Sequence, residues 1–357
     1  MSNPSAWPRP WSSHVSVFRP SLSRLPIVLA LIAVLLAACT GATQSSATAP
    51  GAGPSVPPAP TATAASAAPA AAFPVTLTGD DGTAVTVVAE PARVVSLTPA
   101  ETEILFALGV GDRIVGKVED LANHPPEAEG IPIVGTFDGV DIEVIVGSEA
   151  DLVIAGGSGG TPQDAIDRLR QLGVPVLVVY ASDVAGVFHD IELTGAAVGR
   201  PAEAAALVAS MTAGFDQVAE ATDGVARPRV FYETGDQPSI YGIAEDSVYA
   251  ELIELAGGTP ITTGSASNWE MPVEKLIAAD PELIILGDSA YGVTAEAVAA
   301  RPGWDVMTAV KAEAIKPIDD IVVTRPGPRL VDGLRLLVAA IHPELELPAV
   351  SPLPSGG

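Results

Sequence analysis

The chain is poor in cysteine, histidine, aromatic residues and positive charge. Of its 357 residues, one is cysteine and four are histidine. An internal disulfide is thereby excluded, and with it a zinc or iron–sulfur site built from cysteines. The histidines, His14, His124, His189 and His342, are scattered, and none pairs at the i, i+4 spacing of a helical metal site. No protein-built metal site and no resident cofactor are expected. Against 43 acidic residues stand 18 lysines and arginines, a net charge of −25. A phosphate backbone would be repelled, so nucleic acid is not an expected partner. Aromatic residues make up 4 %, and the mean hydropathy of +0.38 therefore comes largely from alanine and valine.

One apolar run needs a reading as a membrane segment. It extends from Leu25 to Ala38, follows Arg9, Arg19 and Arg24, and no acid precedes Asp80. At about 14 residues it is shorter than the ~20 a membrane span needs, and it fits the apolar region of a secretory signal. The run ends in Leu36-Ala37-Ala38-Cys39, which resembles a lipobox, where the chain is cut before the cysteine and the thiol takes a diacylglycerol. A membrane-anchor helix ending in a buried cysteine is the alternative. The stretch from Thr40 to Ala72 is almost wholly Ala, Pro, Ser, Thr and Gly, a composition that buries no core and favours a lipid anchor on an extended tether. A signal peptide is thus expected at 1–38 and a lipidated tether at 39–73.

From Phe73 the pattern becomes globular. Val75 to Thr78 and Val85 to Val88 flank Asp80-Asp81-Gly82, the signature of a β-hairpin. Arg93 to Leu97 reads as a buried strand entering a helix, with Thr98 as N-cap, Pro99 at the first helical position and Glu101 completing a capping box. Short apolar runs at Ile131 to Val134, Leu152 to Ala155 and Val174 to Val179 alternate with helical segments such as Gln163 to Leu172. Such alternation predicts an α/β fold with a mostly parallel sheet. Ala204, Val208, Met211, Phe215 and Val218 form one stripe of a helix over Pro201 to Thr222. Beyond Arg227-Pro228 the alternation resumes, with strands at Val230 to Tyr232 and Leu283 to Leu286 and helices at Ser247 to Ala256 and Pro328 to Ile341. The segments beginning at Glu143 and Glu274 align without a gap, each a helix delivering the chain into a buried strand. Two Rossmann-like lobes of similar build are expected, at 74–183 and 225–347, joined through one long helix in 184–224, with a tail at 348–357.

Two classes of function compete for this frame. Gly156-Gly-Ser158-Gly-Gly160 matches G-x-S-x-G after a strand, so a serine hydrolase with Ser158 as nucleophile is one. Against it, His189 and His342 do not fall in strand-end loops where a base belongs, and a glycine-rich ligand loop explains the same residues. The other class is a binding protein. Thr98, Phe137, Tyr241, Trp269, Asp320 and Arg325 fall at predicted strand ends and loops. Aromatic faces and a guanidinium fork there suit a sizeable ligand, although packing under loops explains each residue singly.

Arg93-Val-Val-Ser-Leu-Thr-Pro-Ala-Glu-Thr-Glu-Ile-Leu-Phe-Ala-Leu-Gly109 resembles the opening of the class III substrate-binding lipoproteins of ABC importers, the iron-chelate and vitamin B12 family. Asp151 to Ala155, Glu251 to Gly258 and Asp280 to Leu286 continue the resemblance in order over roughly residues 74 to 345. It implies the class III periplasmic-binding fold and a ligand held between the lobes. It also implies docking of Glu143 and Glu274 on the arginines of a permease dimer that works with ATPase subunits. Cys39 would carry the anchor on the outer side of a cell membrane, and a monomer is expected. Within the family the chain is most similar to the cobalamin-binding branch. Phe137, Tyr241 and Arg325 match its ligand-facing residues, and Trp269 and Asp320 each stand one position away from theirs. A corrinoid is the favoured ligand, with haem and ferric siderophores open.

Overall fold

The computed structural model describes residues 73–136, 139–157 and 160–347. The signal segment, Cys39, Phe137, Ser158 and the tail lie outside the described residues.

The first half opens on the expected hairpin, β1 (Val75–Thr78) against β2 (Ala84–Val87), antiparallel, with Gly82 at φ +75° in the turn. Next come β3 (Val94–Ser96), α1 (Pro99–Ala107), β4 (Ile114–Val118), β5 (Ile133–Thr136), β6 (Gly139–Val140), α2 (Ile142–Gly147), β7 (Leu152–Gly156), α3 (Gln163–Gln171) and β8 (Val176–Val179). The sheet runs β6-β5-β4-β3-β7-β8, parallel except where β6 turns back on β5. Val94, Val95, Val153 and Ile154 are fully buried, as strands covered on both faces must be. β8 is the last strand of this order, and the hairpin loop lies against it. The Asp80 amide donates to the Val178 carbonyl at 2.9 Å, the Tyr180 amide donates to the Asp80 carboxylate, and Arg170 pairs with Asp81 at 2.7 Å. A Cβ on Gly79 would stand 2.7 Å from the Val178 carbonyl oxygen, so this approach requires glycine.

Two helices then carry the chain across, α4 (Val184–Ala197) and α5 (Pro201–Ala221). At 1.5 Å per residue α5 is roughly 30 Å long. It buries Ala204, Met211, Phe215 and Val218 of the expected stripe, but Leu207 is fully buried and Val208 only half so. Phe215 meets Phe188 of α4 edge to face at 5.6 Å.

The second half holds β9 (Arg229–Glu233), α6 (Val248–Leu255), β10 (Thr259–Pro260), α7 (Val273–Ala279), β11 (Leu283–Leu286), α8 (Ala295–Ala299), α9 (Thr308–Lys311), β12 (Ile315–Pro317), α10 (Asp320–Thr324) and α11 (Leu330–Ile341). Its sheet runs β10-β9-β11-β12, all parallel. Gly214 of α5 lets α11 approach, since a Cβ there would sit 2.6 Å from Val331. The echo seen in the sequence has a structural counterpart: α2 leads into β7, which pairs with β3, as α7 leads into β11, which pairs with β9.

The family-like architecture, two parallel-rich α/β halves, is thus present. Among the described residues no helix is long and apolar enough to cross a membrane.

Candidate functional site

In an open parallel sheet, ligands bind beyond the carboxyl ends of the strands where the strand order reverses. Both sheets reverse beside their first strand, β3 in one and β9 in the other, and the loops beyond their carboxyl ends meet across a cleft of about 760 Å³. Thr98, Asp120, Gly156 and Tyr180 line it from the first half. Tyr249, Trp269, Tyr291, Asp320 and Arg325 line it from the second.

Thr98 is held by helix capping: its hydroxyl accepts the Glu101 amide at 3.1 Å, with Pro99 at the first helical position. The capping box is not completed, because the Glu101 carboxyl turns inward and accepts the Thr194 hydroxyl at 3.0 Å. Glu101 is buried, and that burial pushes its carboxyl up to about 8 against the opposing Thr194 bond. Asp190 of α4 is pushed up to about 9, first by burial and then by the neighbouring Asp80.

The glycine-rich loop has a packing reason. A Cβ on Gly156 would lie 2.6 Å from the Thr98 methyl, and one on Gly157 would lie 2.7 Å from Tyr180. Of the candidate bases, His189 is exposed on α4, and His342 is buried with its Nε2 3.1 Å from the Gly257 carbonyl; neither lines the cleft.

Trp269 is half-buried, edge to face with Tyr249 at 5.6 Å, and Tyr249 donates to the Thr324 carbonyl at 3.3 Å. Burial pushes the Tyr249 phenol up to about 12. Asp320 accepts the Tyr232 hydroxyl at 2.7 Å, and burial raises its carboxyl despite that bond.

Arg325 lines the cleft with its donors already engaged. It bonds Glu103 at 2.7 Å and Asp120 at 2.7 and 3.0 Å, while Arg329 grips Glu103 through two nitrogens at 2.7 and 3.0 Å. These pairs join α1 and the loop after β4 to the segment from the end of α10 to the start of α11, so they tie one half of the chain to the other. Burial pushes Asp120 up, but the Arg325 guanidinium and the Ala122 and His124 amides together outweigh it and hold the carboxyl below its ordinary value. The fork expected to face a ligand therefore serves as an inter-half clasp.

Tyr241 does not line the cleft; its backbone bridges Gly235 and Glu270. Glu143 and Glu274 are exposed, each at the second position of its helix, α2 or α7, where the helix dipole favours an acid. Val144 and Val146 beside Glu143 are also exposed, at 44 and 40 %. Sequence reasoning missed Tyr180, Tyr249 and Tyr291. Tyr180 was findable as the residue directly after the apolar run of β8. Among the described residues no cluster of three or more His, Cys, Asp or Glu is placed to hold a metal.

The family model described as "periplasmic binding protein" matches residues 94–322. An uncharacterised ABC transporter substrate-binding lipoprotein of Bacillus subtilis, YvrC, is 33 % identical over 277 residues, covering 76 % of this chain and 87 % of that one. A cobalamin-binding protein of Halobacterium salinarum is 30 % identical over 285 residues, covering 76 % and 75 %. Among solved structures, the periplasmic heme-binding protein RhuT from Roseiflexus sp. RS-1 superposes with a TM-score of 0.62 at 25 % identity, over 70 % of this chain and 98 % of that one.

Proposed function

Because the chain belongs to the periplasmic binding protein family, we propose that it is the capture component of an ABC importer, taking a metal chelate into the cleft and handing it to a permease dimer driven by ATPase subunits. The observation that carries this reading is the cleft itself, of about 760 Å³, set between the carboxyl ends of two parallel sheets and lined by Tyr180, Tyr249, Trp269 and Tyr291. Aromatic faces of that number suit a large planar ligand. The chain is a solute-binding protein and not an enzyme, so the hydrolase reading of Ser158 is set aside. In this reading 1–38 is the signal peptide, Cys39 carries the lipid, 39–73 is the tether, and 74–183 and 225–347 are the lobes on either side of 184–224.

A corrinoid is the favoured chelate, supported by the likeness to a cobalamin-binding relative; the likeness to a heme-binding structure keeps haem beside it, and ferric siderophores are the third class. Titrating the purified protein with cyanocobalamin, haemin and ferric siderophores decides among them. Cyanocobalamin is expected to quench tryptophan emission, and Trp269→Phe to reduce the extent of that change, since Trp269 lines the cleft while Trp304 is buried outside it under Arg301. Saturation by haemin or a siderophore alone would sink the corrinoid assignment.

Exposed Glu143 and Glu274, with Val144 and Val146 beside the first, support a two-point permease contact. The double substitution Glu143→Ala and Glu274→Ala is expected to abolish uptake in cells while leaving ligand affinity within about twofold, as for surface changes away from a pocket. Loss of binding in the purified double variant would remove the docking role.

A further inference from the structure

The charge of the cleft is more one-sided than that of the chain. Across the whole sequence acids outnumber bases 43 to 18, whereas the cleft is lined by seven carboxyl side chains and a single guanidinium. That guanidinium, Arg325, is spent on Glu103 and Asp120. Asp120 is thereby neutralised. The buried acids Glu101 and Asp190 hold their protons near neutral pH. The seventh, Asp320, is occupied by the Tyr232 hydroxyl, and burial raises its carboxyl. The exposed charge facing a ligand therefore comes from Glu119, Glu245 and Asp246, which line the same cleft from both halves.

Three of the lining hydroxyls are already engaged as donors within the protein. The Ser247 hydroxyl donates to the Ala244 carbonyl, the Thr324 hydroxyl to the Asp320 carbonyl and the Tyr249 phenol to the Thr324 carbonyl. A ligand carboxylate entering here meets like charges in a partly water-excluded space and finds no free cation among the described lining residues. An amide or ammonium edge meets acceptors instead.

Resting on the reading of the cleft as the ligand site, we propose that this protein selects its chelate by charge. It takes a neutral or cationic metal chelate whose periphery donates hydrogen bonds, and it rejects chelates that carry free carboxylates. Glu119, Glu245 and Asp246 set that preference.

The test uses the purified full chain and two matched pairs of probes: cyanocobalamin against its monocarboxylic acid, with one side-chain amide hydrolysed, and haemin dimethyl ester against haemin. In whichever pair binds, the carboxylate member is expected to bind at least about tenfold more weakly per carboxylate at low ionic strength, one tenfold step being the scale of a single unfavourable charge contact. Added salt should narrow the gap by screening. The triple variant Glu119→Gln, Glu245→Gln, Asp246→Asn should close most of it. A free acid that binds as tightly as its amide or ester overturns the proposal, as does a gap that the triple variant leaves intact or the failure of all four probes to bind. If the haem ester is preferred over haemin and cyanocobalamin is ignored, the corrinoid assignment fails and charge selection stands. If haemin binds tightest of all, charge selection fails and the importer role stands.

Discussion

Arg301→Ala is expected to cost the folded chain about 3–5 kcal/mol, the usual loss when one partner of a buried ion pair is removed. Arg301 holds both oxygens of Glu233 at 2.6 and 2.8 Å and Asp236 at 3.1 Å, and its guanidinium lies 4.6 Å above the Trp304 ring. Glu233, at the end of β9, is wholly inaccessible to solvent. Asp288, just beyond β11, is buried beside it, and burial together with the Glu233 charge pushes the Asp288 carboxyl up. Without the arginine, the buried carboxyls of Glu233 and Asp288 are left with no cation bonded to them, beside a partly exposed Asp236. The deficit should shrink as pH falls, because the stranded acids can then take protons. Urea midpoints of parent and variant at pH 5.5 and 7.5 measure both effects. A deficit under about 1 kcal/mol, the range of exposed pairs, would show that water reaches the pocket.

Stability is also expected to fall as pH rises from about 5 to 9, an unusual direction for so acidic a chain. Glu101 and Asp190 hold their protons to about 8 and 9 in the folded state, against ordinary values of 4.5 and 3.8. Raised values mean that the folded chain binds protons the unfolded chain has released. Their contribution is complete below about pH 4 and is lost as pH climbs through 8 and 9. Each such group tilts stability by at most about 1.4 kcal/mol per pH unit inside its window. Asp120 and Asp81, whose carboxyls are held below their ordinary value, act in the opposite sense, and only in stronger acid. The thermal midpoint should therefore be higher at pH 5.5 than at pH 8.5. Glu101→Gln keeps an acceptor for the Thr194 hydroxyl and does not titrate, so it should flatten the profile and exceed the parent at pH 8.5. A parent profile that is level or rises with pH would contradict the protonated state of these acids.

How much of this was legible beforehand depended on how local the determinant is. Buried strands, the Thr98 and Ser247 caps and the long α5 are written in neighbouring residues, and periodicity finds them. β10 and β12, two and three residues long, are too short to carry a pattern. Arg325 stands 222 residues from Glu103 and 205 from Asp120, so nothing beside it says that its fork is occupied. Glu101 looked like a capping acid because its spacing from Thr98 is right; its true partner, Thr194, comes from a helix 93 residues away. Tyr241 was singled out as a loop aromatic, a feature that marks surface position without saying which surface.

The hairpin that opens the described residues covers part of the border of the larger sheet. β8 ends the order of the larger sheet, and an uncovered outermost strand offers its amides and carbonyls to any other strand it meets. The 79–83 loop occupies part of that border through the Asp80–Val178 bond and the Asp80 contact with Tyr180. A shortened form cut at the first strand of the main sheet, near Val94, would lose that cover. It would present Val176–Val179 as a template for intermolecular pairing, with self-association at high concentration as the result. Any truncation at the N-terminal side has to keep everything from Phe73 onward.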